Sequence, residues 1–307
     1  MSRALTHSLL ILVMILWGLN VVAVKFLVEY FPPILMQGAR VFIAAIAVFI
    51  VLFFIRDLRK LNKKEWIYIL IASLLGQLFH HGFLAVGLTE TTASNSSIIL
   101  GLIPLTTAIL AMFFLNERLT FLKIIGIILG LSGVSIVIIY NNGGMGLVSK
   151  GDLFVFIAMV SQASSFIVIK KATISLSAKQ MTAVMLLVGS LLLLSVSFIL
   201  EPKGSTNLSV VPMGVWAVLI SSAILATGLG HILYNLAINQ IGAGQTAIFN
   251  NLIPFFALIG SFLLLGETIQ MSQLVGFLLI VIGVLLGTGY VDFILSKHDK
   301  KTKSLQN

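Results

Sequence analysis

The sequence predicts an all-α integral membrane protein, with ten transmembrane helices arranged as two inverted five-helix repeats. Three observations predict it. Of the 307 residues, 59% are hydrophobic and 9% charged, and mean hydropathy is +1.12. A soluble domain carries about 25% charged residues, so this chain has too little charge to cover a surface facing water. Apolar runs of the ~20 residues that cross hydrocarbon recur along its length. One phrase is also written twice: Leu102-Ile103-Pro104 leads through an apolar run to Glu117, and Leu252-Ile253-Pro254 leads through another to Glu267.

Polar punctuation delimits the runs in order. The first, 6–28, follows Ser2-Arg3 and resembles a signal peptide at its start, but it is long and no convincing small-x-small cleavage site follows. It is expected to be retained. EYFPP separates it from 33–55, RDLRKLNKKE precedes 66–88, and TETT precedes 91–115. NERLT leads into 119–140 and NNGGMGLVSKG into 151–172. After 178–200 comes EPKGSTNLSVV, then 212–238, NQIGAG, 242–266, GETIQ and 270–294. None of these linkers has room for a soluble domain.

Sliding the chain by 150 residues aligns 76–137 with 226–287 without a gap. His81 falls on His231, Pro104 on Pro254, Glu117 on Glu267, Gly126 on Gly276, and Gly133-Val134 on Gly283-Val284. A shift of 145 sets Lys25 on Lys170. The expected organisation is a first repeat over 1–145, a second over 146–295 and a basic cytoplasmic tail over 296–307. Five spans per repeat is an odd number, so the second repeat enters the membrane from the opposite side, an architecture of alternating-access transporters.

Charge sets the orientation. With the N-terminus inside, 15 of the 19 Lys and Arg fall on the cytoplasmic side, as basic residues of membrane proteins do. Both termini are expected to be cytoplasmic, in the cell membrane. The same rule accounts for the net charge of +9, so no nucleic-acid partner is expected. Cysteine is absent, which excludes disulfides and thiolate chemistry.

WGLNVVAVKF at 17–26, PPILMQGAR at 32–40, GLTETTAS at 87–94 and the two proline-to-glutamate phrases resemble the drug/metabolite transporter superfamily, specifically its EamA family. The resemblance covers essentially the whole chain. It implies ten helices in two inverted repeats and export of amino acids or related small metabolites. LFHHGFLAVGL in the third span departs from the pattern, with two histidines where small or apolar residues are expected.

Polar groups at membrane depth are the candidate substrate-binding residues: Trp17, Asn20, Arg40, Gln77, His81, Gln162, His231, Asn250 and Asn251. Ionisable groups inside a membrane are costly and mark pathways; histidine titrates near neutrality, which makes protons the candidate coupling ion. The plain alternatives are a satisfied core histidine, a passive packing Trp17, and amides that only bond helix to helix. His80 lies about 100° from His81 on a helix and is expected off its face. Lys25 is expected to snorkel to the interface. Pro104 and Pro254, near mid-helix, each remove a hydrogen bond to the carbonyl four residues back, so hinge roles are expected. Gly126-x-x-x-Gly130 and Gly283-x-x-x-Gly287 permit close helix packing within the chain or across a homodimer.

All ten acidic residues lie in linkers or near helix ends, and no phosphate-loop or H-E-x-x-H motif is present. An intramembrane enzyme and an ATP-driven pump are therefore disfavoured, and no metal or cofactor is expected. The reading is a secondary transporter in the lipid bilayer, exporting a small polar metabolite. An importer, a drug exporter and a non-transporting sensor or partner subunit are the alternatives.

Overall fold

The computed structural model describes residues 3–55, 58–115, 120–140, 149–204, 208–241 and 249–287. Glu117, the linker at 141–148 and the tail at 296–307 lie outside them. Among the described residues the regular elements are helices. In order they are α1 (Arg3–Leu27), α2 (Pro33–Ile55), α3 (Lys63–Ser73), a π segment (Leu74–Phe79), α4 (His80–Glu90), α5 (Ala93–Leu100), α6 (Ile103–Leu115), α7 (Phe121–Ile139) and α8 (Lys150–Ala172). Then follow α9 (Ala178–Leu200), a 3-10 turn (Leu208–Val210), α10 (Met213–Ser221), a second π segment (Ser222–Leu229), α11 (Gly230–Ile241), α12 (Leu252–Gly260), a third π segment (Ser261–Leu265) and α13 (Met271–Gly287).

Among the described residues, seven stretches are long and apolar enough to cross a membrane: Leu5–Leu27, Pro33–Phe54, Lys63–Glu90, Ala93–Phe114, Lys150–Ala172, Ala178–Leu200 and Met213–Tyr234. Phe121–Val137, Leu252–Leu265 and Met271–Gly287 are apolar but shorter. The spans bury only part of their surface, and what they leave outside is apolar: Phe54 is 78% exposed, Ile199 76% and Phe113 75%. A surface this greasy is stable against lipid and not against water.

Helix ends buried in a bundle need partners for their free N–H groups. The chain supplies carboxylates from distant hairpins. Glu201 accepts from Ile34 N at 2.9 Å and Leu35 N at 2.8 Å, closing the start of α2. Glu267 accepts from Ala93 N, Ser94 N and Ser94 Oγ at 2.8, 3.0 and 2.7 Å, closing the start of α5. Negative charge at a helix N-terminus is also favoured by the helix dipole. The glutamate that ends the second repeated phrase thus ties the hairpin before α13 to the first half of the chain. At the start of α3, Asn62 and Glu65 form a capping box. Arg59 pairs with Glu65 at 2.6 Å and donates to Ser175 O at 2.7 Å.

One expectation is corrected. The prolines are not mid-helix: the chain breaks at Gly101-Leu102 and again at Asn250-Asn251, and Pro104 and Pro254 stand near the starts of α6 and α12. Proline tolerates the first helical turn, where its missing N–H has no intrahelical partner to lose. The breaks touch, since a Cβ added at Gly101 would lie 3.0 Å from Pro254 Cγ. Lys25 Nζ donates to Leu88 O at 2.8 Å, a carbonyl near the end of α4, where a cation suits the dipole.

The paired glycines pack inside the chain. α7 lies along α13 with backbone against backbone: a Cβ added at Gly283 would stand 2.6 Å from Gly130 N and 2.7 Å from Gly126 O, and one at Gly126 would collide with Gly283 O and Gly287 N. Backbone cannot yield as a side chain can. Gly126→Ala is therefore expected to destabilise the purified chain by about 2–3 kcal/mol, the scale of an overpacked core. Gly214→Ala, which meets nothing within 4 Å, is expected to be neutral. Equal thermal unfolding of the two variants would contradict this seam.

Candidate functional site

Asn20, Gln77, His80, Gln162, Thr227 and Asn250 reach into one cavity of about 120 Å³. Trp17, His81, Phe166, His231, Pro104 and several aliphatic side chains complete its wall. The lining comes from the first, third and fourth apolar runs and from the sixth, eighth and ninth. The remaining runs pair off elsewhere, α2 against α9 and α7 against α13.

The lining positions repeat. Under the 145-residue shift Trp17 corresponds to Gln162 and Val21 to Phe166. Under the 150-residue shift Gln77 corresponds to Thr227, His81 to His231, Leu100 to Asn250 and Ile103 to Ile253. All twelve line the cavity. The π segments also recur: Leu74–Phe79 shifted by 150 falls within Ser222–Leu229. Each ends one or two residues before a lining histidine. A π turn widens the helix and re-aims the side chains after it, and such turns cluster at functional sites.

Of the eleven residues singled out from sequence, eight line the cavity: Trp17, Asn20, Gln77, His81, Gln162, His231, Asn250 and Pro104. Arg40, Asn251 and Pro254 do not. Arg40 is fully buried behind the wall, where Nη1 donates to Asn20 Oδ1 at 3.1 Å and Nη2 to Thr227 Oγ1 at 3.2 Å. Its Nε has no partner, and neither amide atom of the buried Asn251 has one.

His80 corrects an expectation. It joins His81 at the cavity, with ring centroids 4.8 Å apart. Two side chains about 100° apart straddle a cavity that lies between them. His80 Nδ1 is 3.0 Å from Ala158 O and His231 Nδ1 2.7 Å from Thr227 O. A carbonyl only accepts, so both rings carry hydrogen on Nδ1, and Nε2 is the acceptor of the uncharged ring. Trp17 is pinned by Nε1 donating to Ala226 O at 2.9 Å and by ring contacts of 5.3 Å with His231 and 5.0 Å with Tyr234. Tyr234 in turn receives Asn250 Nδ2 at 3.0 Å.

Sequence reasoning missed His80, Phe166 and Thr227. The repeat held the signal for Thr227 alone, because the 150-residue shift carries the candidate Gln77 onto it; Phe166 falls on Val21, an apolar residue that the sequence does not single out. Thr227 also lies four residues before His231, on the same helix face.

Comparison with known proteins agrees with the resemblance noted above. The EamA-like transporter family matches over residues 4–139 and 149–288. The chain is 30% identical to the uncharacterized transporter YyaM of Bacillus subtilis (strain 168), covering 91% of this chain and 92% of that one. It is 28% identical to the uncharacterized transporter YoaV of the same organism, covering 91% and 95%. A solved crystal structure shares the fold with a TM-score of 0.68 at 17% identity, covering 95% of this chain and 99% of that one.

Packing around Trp17 generates a stability prediction. Trp17→Ala empties an aromatic site and is expected to cost about 3 kcal/mol. Tyr234→Phe, which deletes one hydroxyl that receives the Asn250 amide, is expected to cost about 1 kcal/mol. Equal losses in thermal unfolding would contradict the arrangement.

Proposed function

The chain belongs to the EamA-like transporter family, and from that premise we propose that it is a secondary carrier that exports a small polar metabolite across the cell membrane by alternating access. The carrying observation is the cavity, whose wall draws on corresponding positions of the two halves. Ten crossings in two inverted repeats, with domains at 1–145 and 146–295, both termini cytoplasmic and a basic tail over 296–307, complete the reading. The family matching twice, at 4–139 and 149–288, and the two π segments in register support it. Two halves that exchange conformations would open one cavity to each side in turn.

The wall favours a carrier over an enzyme. Amide, imidazole and indole groups among aliphatic residues suit a binding pocket with a few orienting polar contacts. The substrate is held by Trp17, Asn20, Gln77, His81, Gln162, His231 and Asn250, with Arg40 positioning Asn20 and Thr227 from behind. Asn251, Pro104 and Pro254 sit at or beside the paired helix breaks, where a hinge absorbs backbone rotation. Protons are the coupling ion in this reading, handled by His81 and His231 beside the fixed charge of Arg40. With the glycine seam of α7 and α13 filled from within, a homodimer would use another face.

Two measurements test this. Cells overproducing the chain are expected to accumulate one metabolite class outside, and cells producing Asn250→Leu or Gln77→Leu to lose about 90% of that excess. No difference from empty cells would contradict export. In reconstituted vesicles the pH dependence of transport is expected to vanish in the His81→Gln, His231→Gln double variant, and an unchanged profile would remove protons from the reading.

A further inference from the structure

Two features at one edge of the bundle take no part in the central cavity. The first is a crevice of about 380 Å³ lined by Leu52, Phe53, Phe54 and Leu58, where α2 ends and the chain turns toward α3. All four side chains are apolar, so an apolar occupant suits it. The second is a run of exposed lysines, Lys60, Lys63 and Lys64, which begins two residues after Leu58. None of the three makes an ion pair among the described residues, and Glu65, which follows them, is already paired with Arg59.

The backbone that carries these lysines is pinned. Arg59 donates to Lys60 O at 3.0 Å and to Ser175 O at 2.7 Å, and Gln180 Nε2 donates to Arg59 O at 2.6 Å. Ser175 Oγ donates to Glu65 Oε1 at 3.0 Å. The linker between α2 and α3 is thereby held against the turn between α8 and α9, so a ligand that binds there has no loop to order first. One apolar span ends at Phe54 and the next begins at Lys63, which sets the lysines at headgroup level and the crevice at the edge of the hydrocarbon. Trp66, Ile67 and Leu70 are exposed and follow Lys63 at spacings of three, four and seven, one face of a helix. A lipid-facing stripe of α3 thus leads up to the charge, with a tryptophan at the depth where tryptophan marks the interface. Lys63 and Lys64 also stand in the first turn of α3, where the helix dipole disfavours cations; an anion beside them would offset that cost.

We propose that this edge binds one anionic phospholipid, with an acyl chain in the crevice of Leu52, Phe53, Phe54 and Leu58 and the phosphate-bearing headgroup on Lys60, Lys63 and Lys64. The site is separate from the carrier reading and does not depend on it. Scattered basic residues attract any anionic surface weakly, whereas three cations on one pinned segment beside an apolar crevice select a molecule that carries both charge and chains. Bound lipid clamps the linker between α2 and α3 and, through Arg59 and Ser175, the turn between α8 and α9.

The test uses the full chain purified in an uncharged detergent. Dioleoylphosphatidylglycerol and dioleoylphosphatidylcholine share their chains and differ in charge, while glycerol 3-phosphate carries the charge without chains. Affinity is read from the rise in Tm with added probe, and stoichiometry by native mass spectrometry. The anionic lipid is expected to raise Tm saturably and to bind one per chain, phosphatidylcholine to bind far more weakly, and glycerol 3-phosphate to leave Tm unmoved. Replacing Lys60, Lys63 and Lys64 together by Gln is expected to weaken the anionic lipid about a hundredfold. The same change of charge in the tail, Lys300, Lys301 and Lys303 to Gln, is expected to leave it unchanged. Leu58→Gln, which alters the crevice and no charge, is expected to weaken it several-fold. Equal affinity for the two lipids, an equal loss in the tail variant, or unmoved affinity in the triple lysine or Leu58 variant would overturn the proposal. A rise in Tm with glycerol 3-phosphate as large as with the lipid would overturn it too, by assigning the lysines to a soluble phosphate.

Discussion

A polar group inside a bundle wrapped by hydrocarbon must find its partner within the same chain, because lipid offers none. That constraint organises this molecule. Helix starts that open inside the bundle are closed by carboxylates from distant hairpins, Glu201 on α2 and Glu267 on α5. Lys25 spends its charge on the Leu88 carbonyl. Arg40 divides its guanidinium between Asn20 and Thr227. Where the constraint is met, the chain is sealed. Polar atoms still unmet occur at residues of the cavity wall, such as Asn250 and Gln77, and also away from it, at Gln37, Asp152 and Asn251.

Partnering also explains the irregular backbone. Breaks at Gly101-Leu102 and Asn250-Asn251, and π turns before His80 and Gly230, free carbonyls that straight helices would have satisfied. Such irregularity is tolerated at membrane depth where it faces protein or a polar cavity. Each break and both of these π turns adjoin cavity-lining residues, while the third π segment, Ser261–Leu265, does not. Closely packed pairs lie beside this irregular centre, α7 against α13 through glycines in backbone contact and α2 against α9. The molecule thus combines two packed helix pairs with a set of helices whose irregularities adjoin the cavity.

Much of this was legible in the sequence. Apolar runs located the helices, because the ~20-residue span leaves little freedom in reading them. The repeat marked Pro104 and Pro254 as equivalent, and intramembrane polarity picked out Gln77, Gln162 and Asn250. Helix irregularity was not legible: periodicity assumes 3.6 residues per turn, so the π turns and the break before each proline were invisible. The sequence shows the depth of Arg40 but not its direction, which depends on Asn20 and Thr227 standing between it and the cavity. A helical-face argument excludes His80 only if the cavity is a line; side chains on either side of a cavity both line it. Thr227 is within reach of the sequence as the repeat partner of the candidate Gln77, whereas Phe166 pairs with Val21, an apolar residue that nothing in the sequence marks.

The central claim is a single cavity reached from each side of the membrane in turn. A chain without cysteine permits one direct test: place a lone cysteine at Gln162 and treat sealed right-side-out and inside-out vesicles with a maleimide that cannot cross the bilayer. The account predicts labelling from both sides, with no leak of reagent through the protein. Labelling from one side only, or from neither, would contradict it.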